Sequence, residues 1–214
     1  MQLAKGDGPV VLAFPTPIYR HHWPASGDLN EALKTLILAR RAASPSTARS
    51  NVGGWQSGHD LMSWGDPRLA ELGQCINEAF GAAMEAEIGT RAFTCKLAIT
   101  AWANVNGSGD YNRHHTHANN HWSGVYYVDL GQPDPGVIPN GAIEFLDPRP
   151  AVGVYDLPGV QSVSTWTIQP VAGEMLLFPS WLRHGVLPFR GSGERISIAF
   201  NLRVGDLRLQ AGSS

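Results

Sequence analysis

The chain has 214 residues, 43% of them hydrophobic and 16% charged, with a formal charge of −2. That length fits one domain burying roughly 70% of its unfolded surface, and the composition excludes a disordered or fibrous protein. Acids and bases are interspersed, so no basic stripe is available to neutralise phosphates, and nucleic acid is not expected as a partner.

A small molecule or a peptide is the expected partner, and a homodimer is left open. The start, MQLAKGDGPVVLAF, has glycine and proline where a secretory signal carries its apolar run. No segment approaches the ~20 apolar residues of a membrane span. A cytoplasmic protein without a membrane partner is expected. Cys75 and Cys95 are too few for a disulfide framework and lack the paired spacing of a zinc knuckle, so both read as buried thiols.

In chain order, FPTPIYRHHWPASG leads to Asp28, placed to cap a helix whose Glu31 completes a capping box. Leu29, Leu33, Leu36 and Ile37 then recur at helical spacing. Ser, Pro, Gly and Asn from Ser44 to Gly58 break that helix. Asp66 and Pro67 open a second one, which carries Leu69, Leu72, Ile76, Phe80 and Ile88 until Gly89. Within a single domain over 1–214, a helical part over 1–92 is expected to pack on a jelly-roll core over 93–204.

From Phe93 the apolar period becomes 2. In FTCKLAITAWANVN, Phe93, Cys95, Leu97, Ile99, Ala101, Ala103 and Val105 alternate with Thr94, Lys96, Thr100, Trp102, Asn104 and Asn106. RHHTH, HWSGVYYVDL, AIEFLD, VSTWTIQ, EMLLFP, RHGVLPF and RISIAFNLRV follow as strands, nearly all separated by Gly or Pro turns. The expected fold is mainly β with flanking helices, a double-stranded β-helix or jelly roll of the cupin kind.

His114, His115, His117 and His121 crowd into NRHHTHANNHW. On a strand, residues two apart share a face, so His115 and His117 can chelate one metal ion while His114 points away. His121 falls beyond the turn. The third ligand must come from a distant strand, and His184 in FPSWLRHGVLP stands alone in an apolar stretch. Asn119, Asn120 and Ser123 are candidate outer partners for the imidazoles. Arg195 opens a strand whose Arg195, Ser197, Ala199 and Asn201 share a face, and a guanidinium beside a hydroxyl suits a carboxylate. A pairing of Arg195 with a surface acid is an equally open reading. His21, His22 and His59 read as surface or loop residues, and Glu144 and Asp147 as strand-end residues before spare ligands.

These segments together resemble the 2-oxoglutarate and Fe(II)-dependent oxygenase superfamily, in a bacterial and phage branch. The likeness is densest in WANVNGSGDYNRHHTHANNHWSGVYYV, GAIEFLDPRP and GEMLLFPSWLRHGVLPFRGSGERISIAFN. It implies that His115 and His184 are catalytic metal ligands for Fe(II), and the strand spacing adds His117 as the third. It also implies that Arg195 and Ser197 clamp the 2-oxoglutarate co-substrate, with a further bond from among Asn104, Asn106, Tyr126 and Tyr127, Asn104 and Tyr126 foremost. The activity implied is a dioxygenase that hydroxylates a small molecule or a peptide and releases succinate and CO2. His117 stands where the superfamily usually has Asp or Glu, and it fills the position that related halogenases leave to halide. Trp102, Trp122, Trp166 and Trp181 are candidates for keeping the site dry, although packing is the plainer role for each.

Three other readings stay open. A three-histidine site suits a cupin-type isomerase or a co-substrate-independent dioxygenase, against which Arg195 argues. The metal of a non-catalytic jelly-roll binding module would serve only as a staple. A zinc hydrolase is hinted at by HTHANNH, but Asn119 replaces the expected Asp and the alternating strands and helices of that fold are missing.

Overall fold

Asp66 and Gly89 bracket the longer helix as the sequence demands. The Asp66 carboxylate accepts a hydrogen bond from the Arg68 backbone N–H at 2.8 Å, Pro67 occupies the first turn, and Gly89 closes the helix in the left-handed conformation at φ 77°. In chain order, the computed structural model describes residues 14–149 and 164–210 as β1 (Tyr19–His22), α1 (Gly27–Ala43), β2 (Asn51–Val52), β3 (Trp55–Gln56), a 3-10 turn (Leu61–Ser63), α2 (Pro67–Ile88), β4 (Phe93–Asn106), β5 (Tyr111–His115), β6 (Trp122–Pro133), β7 (Ile143–Leu146), β8 (Thr165–Ile168), β9 (Glu174–Pro179), β10 (His184–Val186) and β11 (Gly191–Leu209). Most of the opening segment searched for a secretory signal, Pro150 of GAIEFLDPRP and Val163 of VSTWTIQ lie outside the described residues.

Two antiparallel sheets face each other. One has the order β1-β9-β6-β11-β4-β3 and the other β2-β5-β10-β7-β8. This is the double-stranded β-helix expected from the strand count and turn chemistry. Strand β11 is its spine, pairing with β4 from Arg195↔Asn106 to Leu209↔Phe93 and with β6 along its other edge. Both helices cover the outer face of the six-stranded sheet. Leu33, Ile37, Leu72 and Ile76 pack there against Tyr126, Ile196, Ile198 and Phe200. A second apolar cluster, including Val125, Tyr127, Phe145, Leu176 and Phe178, fills the space between the sheets. The six-stranded sheet is therefore covered on both faces, and strand alternation decides which side chains meet helices and which meet the interior.

Some local expectations change. Ser26, not Asp28, precedes α1, and no side chain caps that end. Asp28 lies within the first turn, where its charge complements the helix dipole, as Arg40 and Arg41 do at the other end. The first 92 residues also supply three short strands. Strand β1 extends the six-stranded sheet through β9, β3 adds to β4, and β2 pairs with β5. The β2 and β3 pieces are only two residues long, too short to show a period. Cys75 and Cys95 are half-buried free thiols. Among the described residues, no helix is long and apolar enough to cross a membrane.

Candidate active site

Strand pairing brings the histidines together. His184 lies directly across from His115 where β10 and β5 run antiparallel. His117 follows two residues after β5 ends, held by its backbone N–H on the Ser180 carbonyl at 3.0 Å. One ring nitrogen from each of the three imidazoles falls within 4.8 Å of the others. His184 is buried, and His115 and His117 are half-buried.

The tautomers of two rings follow from their neighbours. His115 Nδ1 is 2.7 Å from the Arg113 carbonyl, and His184 Nδ1 is 2.8 Å from the Leu182 carbonyl. A carbonyl only accepts, so each Nδ1 carries the proton and each Nε2 keeps its lone pair free. These backbone acceptors replace the expected Asn119, Asn120 and Ser123. Ser123 donates instead to Asn201 Oδ1 at 2.8 Å, and Asn120 donates to the Ala118 carbonyl at 3.1 Å.

Burial is the largest cause pushing all three imidazoles below their ordinary pKa. His117 comes down to about 4 and His184 to about 3, with the neighbouring His115 adding to both shifts. All three are neutral at physiological pH, the form that coordinates metal.

The same cavity, about 480 Å³, reaches Arg195 on β11. This guanidinium is buried, with Nε donating to the Gly141 carbonyl at 2.9 Å and Nη1 to Ser197 Oγ at 3.3 Å. Its charged plane lies over the Tyr127 ring, 5.3 Å from the centroid. Gly141 sits at φ 58°, and a Cβ there would come within 3.0 Å of Arg195 Cδ, so glycine answers both the backbone and the space. Arg195 Nη2, Tyr127 OH and Asn104 Oδ1 are buried without hydrogen-bond partners. Buried polar atoms left open cost stability unless a ligand answers them. All three residues line the cavity shared with the imidazoles.

Residues 100–201 match a family model described as "Putative 2OG-Fe(II) oxygenase". That stretch, a little under half of the chain, is similar to the 2-oxoglutarate and Fe(II)-dependent oxygenases. Solved structures of similar fold include a prolyl-4-hydroxylase from Pseudomonas putida, 18% identical over 88% of this chain and 92% of that one, with a TM-score of 0.60. A prolyl hydroxylase from Trichoplax adhaerens, in complex with a hypoxia inducible factor peptide fragment, is 13% identical over 87% and 83%, with a TM-score of 0.60. HygX from Streptomyces hygroscopicus, with nickel and 2-oxoglutarate bound, is 13% identical over 88% and 82%, with a TM-score of 0.55. At these identities the likeness shows the fold. No protein of curated description matches the sequence.

The other expected site residues sort by strand face. Asn104 and Ser197 are register partners and both line the cavity. Tyr126 does not; its hydroxyl donates to Asn30 Oδ1 of α1 at 2.7 Å, on the helix side of the sheet, while Tyr127 takes the cavity side. Trp102 lines the cavity, whereas Trp122 packs in the helix-side core. Trp166 and Trp181 are more than half exposed and line a separate groove. His121 Nδ1 accepts from the Val204 N–H at 3.0 Å, a structural role. His114 Nε2 lies 3.0 Å from Glu144 Oε1, poorly aligned for a hydrogen bond, and Asp147 pairs with Arg149.

His59, read as a loop residue, borders the cavity. Its ring lies 4.6 Å from that of Trp102, which is 5.5 Å from His117. Arg49, Gln56 and Arg113 also border it. Arg113 was within reach of the period-2 rule, being two residues before His115. Arg49, Gln56 and His59 come from a Ser, Pro and Gly-rich connection with no such signal.

Proposed function

We propose that His115, His117 and His184 hold Fe(II), the first and last through Nε2, and that Arg195 and Ser197 hold 2-oxoglutarate with Tyr127 and Asn104. The reaction served is hydroxylation of a small molecule or a peptide side chain, with release of succinate and CO2. The observation that carries this reading is the shared cavity. Three neutral imidazoles converge at one place in it, and an unpartnered guanidinium nitrogen and phenol, both donors, border it.

The residues fit both groups. Neutral imidazole is a common ligand for iron. The buried, singly open fork of Arg195 suits a carboxylate, and burial pushes the Tyr127 phenol up, so it stays protonated and able to donate. When bound, the iron and co-substrate supply the oxidising chemistry. The chain's own work is to fix the ring nitrogens through the Arg113 and Leu182 carbonyls, orient one carboxylate at Arg195, and exclude water with Trp102, Val125 and Phe178. His117 brings no negative charge where the superfamily usually has a carboxylate, so the protein ligands leave the metal's charge for the anionic co-substrate to balance.

A cytoplasmic setting belongs to the same reading, supported by the two free thiols. The test is anaerobic reconstitution with Fe(II), followed by oxygen and 2-oxoglutarate. Iron bound at one site and succinate formed only when metal, oxygen and 2-oxoglutarate are all present is the expected result. Zinc retained with no turnover of 2-oxoglutarate would overturn the reading.

A further inference from the structure

The cavity has a second cationic region, separate from Arg195. Arg49 lies in the connection before β2, and Arg113 lies on β5, two residues before His115. The two segments are tied where the Arg113 N–H donates to the Ser50 carbonyl at 2.9 Å and Asn51 pairs with Asn112. Both arginines border the cavity. Arg49 stands near the His59 end of the ring series that runs through Trp102 to His117, and Arg113 gives its carbonyl to His115. Arg113 belongs to the five-stranded sheet and Arg49 to the connection that enters it, while Arg195 belongs to the six-stranded one.

Neither guanidinium has an ion pair or a side-chain hydrogen bond among the described residues; the bonds made by both residues are backbone ones. No aspartate or glutamate lines the cavity among the described residues. Arg20, Arg40, Arg41, Arg68, Arg91 and Arg149 each pair with a carboxylate, whereas Arg183, Arg190, Arg203 and Arg208 are also without an ion pair among the described residues; what sets Arg49 and Arg113 apart from those four is their place on this cavity. Two unpaired forks at the mouth of a cavity without acids make a region of one sign, and such a region selects ligands of the opposite sign.

We propose that the primary substrate carries an anionic oxyacid group, a carboxylate or a phosphate, received by Arg49 and Arg113 while its oxidised carbon is presented to the imidazole side of the cavity. This rests on the oxygenase reading above and deepens it. The second anion-binding place is distinct from the one at Arg195, so co-substrate and substrate do not compete for one cation. Planar guanidinium forks fit either oxyacid, by paired hydrogen bonds.

The experiment uses the full chain, reconstituted with Fe(II) without oxygen and saturated with 2-oxoglutarate so that Arg195 is occupied. Matched probes are added: N-acetyl amino acids against their methyl esters, and N-acetylphosphoserine methyl ester against N-acetylserine methyl ester. Modification of each arginine by phenylglyoxal is read by mass spectrometry. We expect ionised probes to slow modification of both Arg49 and Arg113 by about threefold or more at concentrations above their dissociation constant, and neutral partners to leave it unchanged. The carboxylate and phosphate arms decide which oxyacid is preferred. In Arg49→Gln, protection of Arg113 should fall, because one anion bridges the two. Equal protection by neutral and ionised probes, no protection by any anion, or full protection of Arg113 in R49Q would each overturn the proposal. Failure of the oxygenase reading is separate, since it appears as absent succinate when oxygen is admitted.

Discussion

His115 and His184 occupy directly opposed positions on antiparallel strands, with ring centroids 4.6 Å apart, and each ties its Nδ1 to the carbonyl two residues before it. Two segments separated by most of the β core thus present equivalent Nε2 lone pairs. Replacing either residue by alanine should abolish stoichiometric iron binding, measured by metal analysis after anaerobic reconstitution and desalting. Full iron content in both variants would remove them from the site.

Arg195→Met should raise the dissociation constant for 2-oxoglutarate by roughly 10- to 100-fold, since a hydrogen bond to a charged group contributes about 1.5 to 3 kcal/mol. Iron content should stay the same. Arg195→Lys keeps a charge but loses the fork held by Gly141 and Ser197, and should recover only part of the affinity. Titration of the metal-loaded protein with 2-oxoglutarate measures both, and unchanged affinity in R195M would contradict the assignment.

Adjacent tyrosines should behave oppositely. Tyr126→Phe removes a bond to Asn30 that ties α1 to the sheet and leaves the Asn30 oxygen without that donor, at a cost of about 1 to 3 kcal/mol in stability. Its affinity for 2-oxoglutarate should be unchanged. Tyr127→Phe removes a hydroxyl that has no partner, so stability should hold or rise while 2-oxoglutarate affinity falls about fivefold or more. Urea denaturation and ligand titration on the two variants separate these outcomes. The same profile in both would mean that the sheet faces are misassigned.

Acid should weaken the metal-free protein in a particular window. The imidazoles of the unfolded chain protonate near 6.5, whereas folding lowers His115 and brings His117 to about 4 and His184 to about 3. Between those values the unfolded state binds protons that the native state refuses. Stability therefore rises with pH there, and is lost as pH falls from 6.5 toward the folded values. Each imidazole contributes at most about 1.4 kcal/mol per pH unit, so the urea midpoint should decline from about pH 6.5 to about pH 4, less steeply in His184→Gln. Because protons compete for the nitrogens only near the folded values, iron should be retained at about pH 5, lower than ordinary histidines would allow. Release near pH 6 would show that the rings titrate normally.

Periodicity carried most of the fold. The alternation in Phe93–Asn106 and in RISIAFN settled which residues meet the helices and which meet the interior, and it placed Arg195, Ser197 and Asn104 on the cavity. At His117 it reached a residue that does join the imidazole group, though for a different reason, and where no period exists it gave no signal. His117 lies past the end of β5, so its place depends on the turn toward β6 and on Ser180, not on strand geometry. The preference for Tyr126 over Tyr127 could not be settled from composition, because both faces of β6 are apolar and the pattern there is continuous. Arg49 and His59 reach the cavity from a connection whose path is set by tertiary contacts alone.

Strand β11 sends Arg195, Ser197 and Ala199 to one side and Ile196, Ile198 and Phe200 to the other. Gaining or losing a single residue just ahead of Arg195 would swap these sets, pushing a guanidinium under the helices and an isoleucine toward the anion. The segment can accept exchanges of side chain far more readily than changes of length, so descendants of this protein should place their insertions in the turns and keep this stretch at constant spacing.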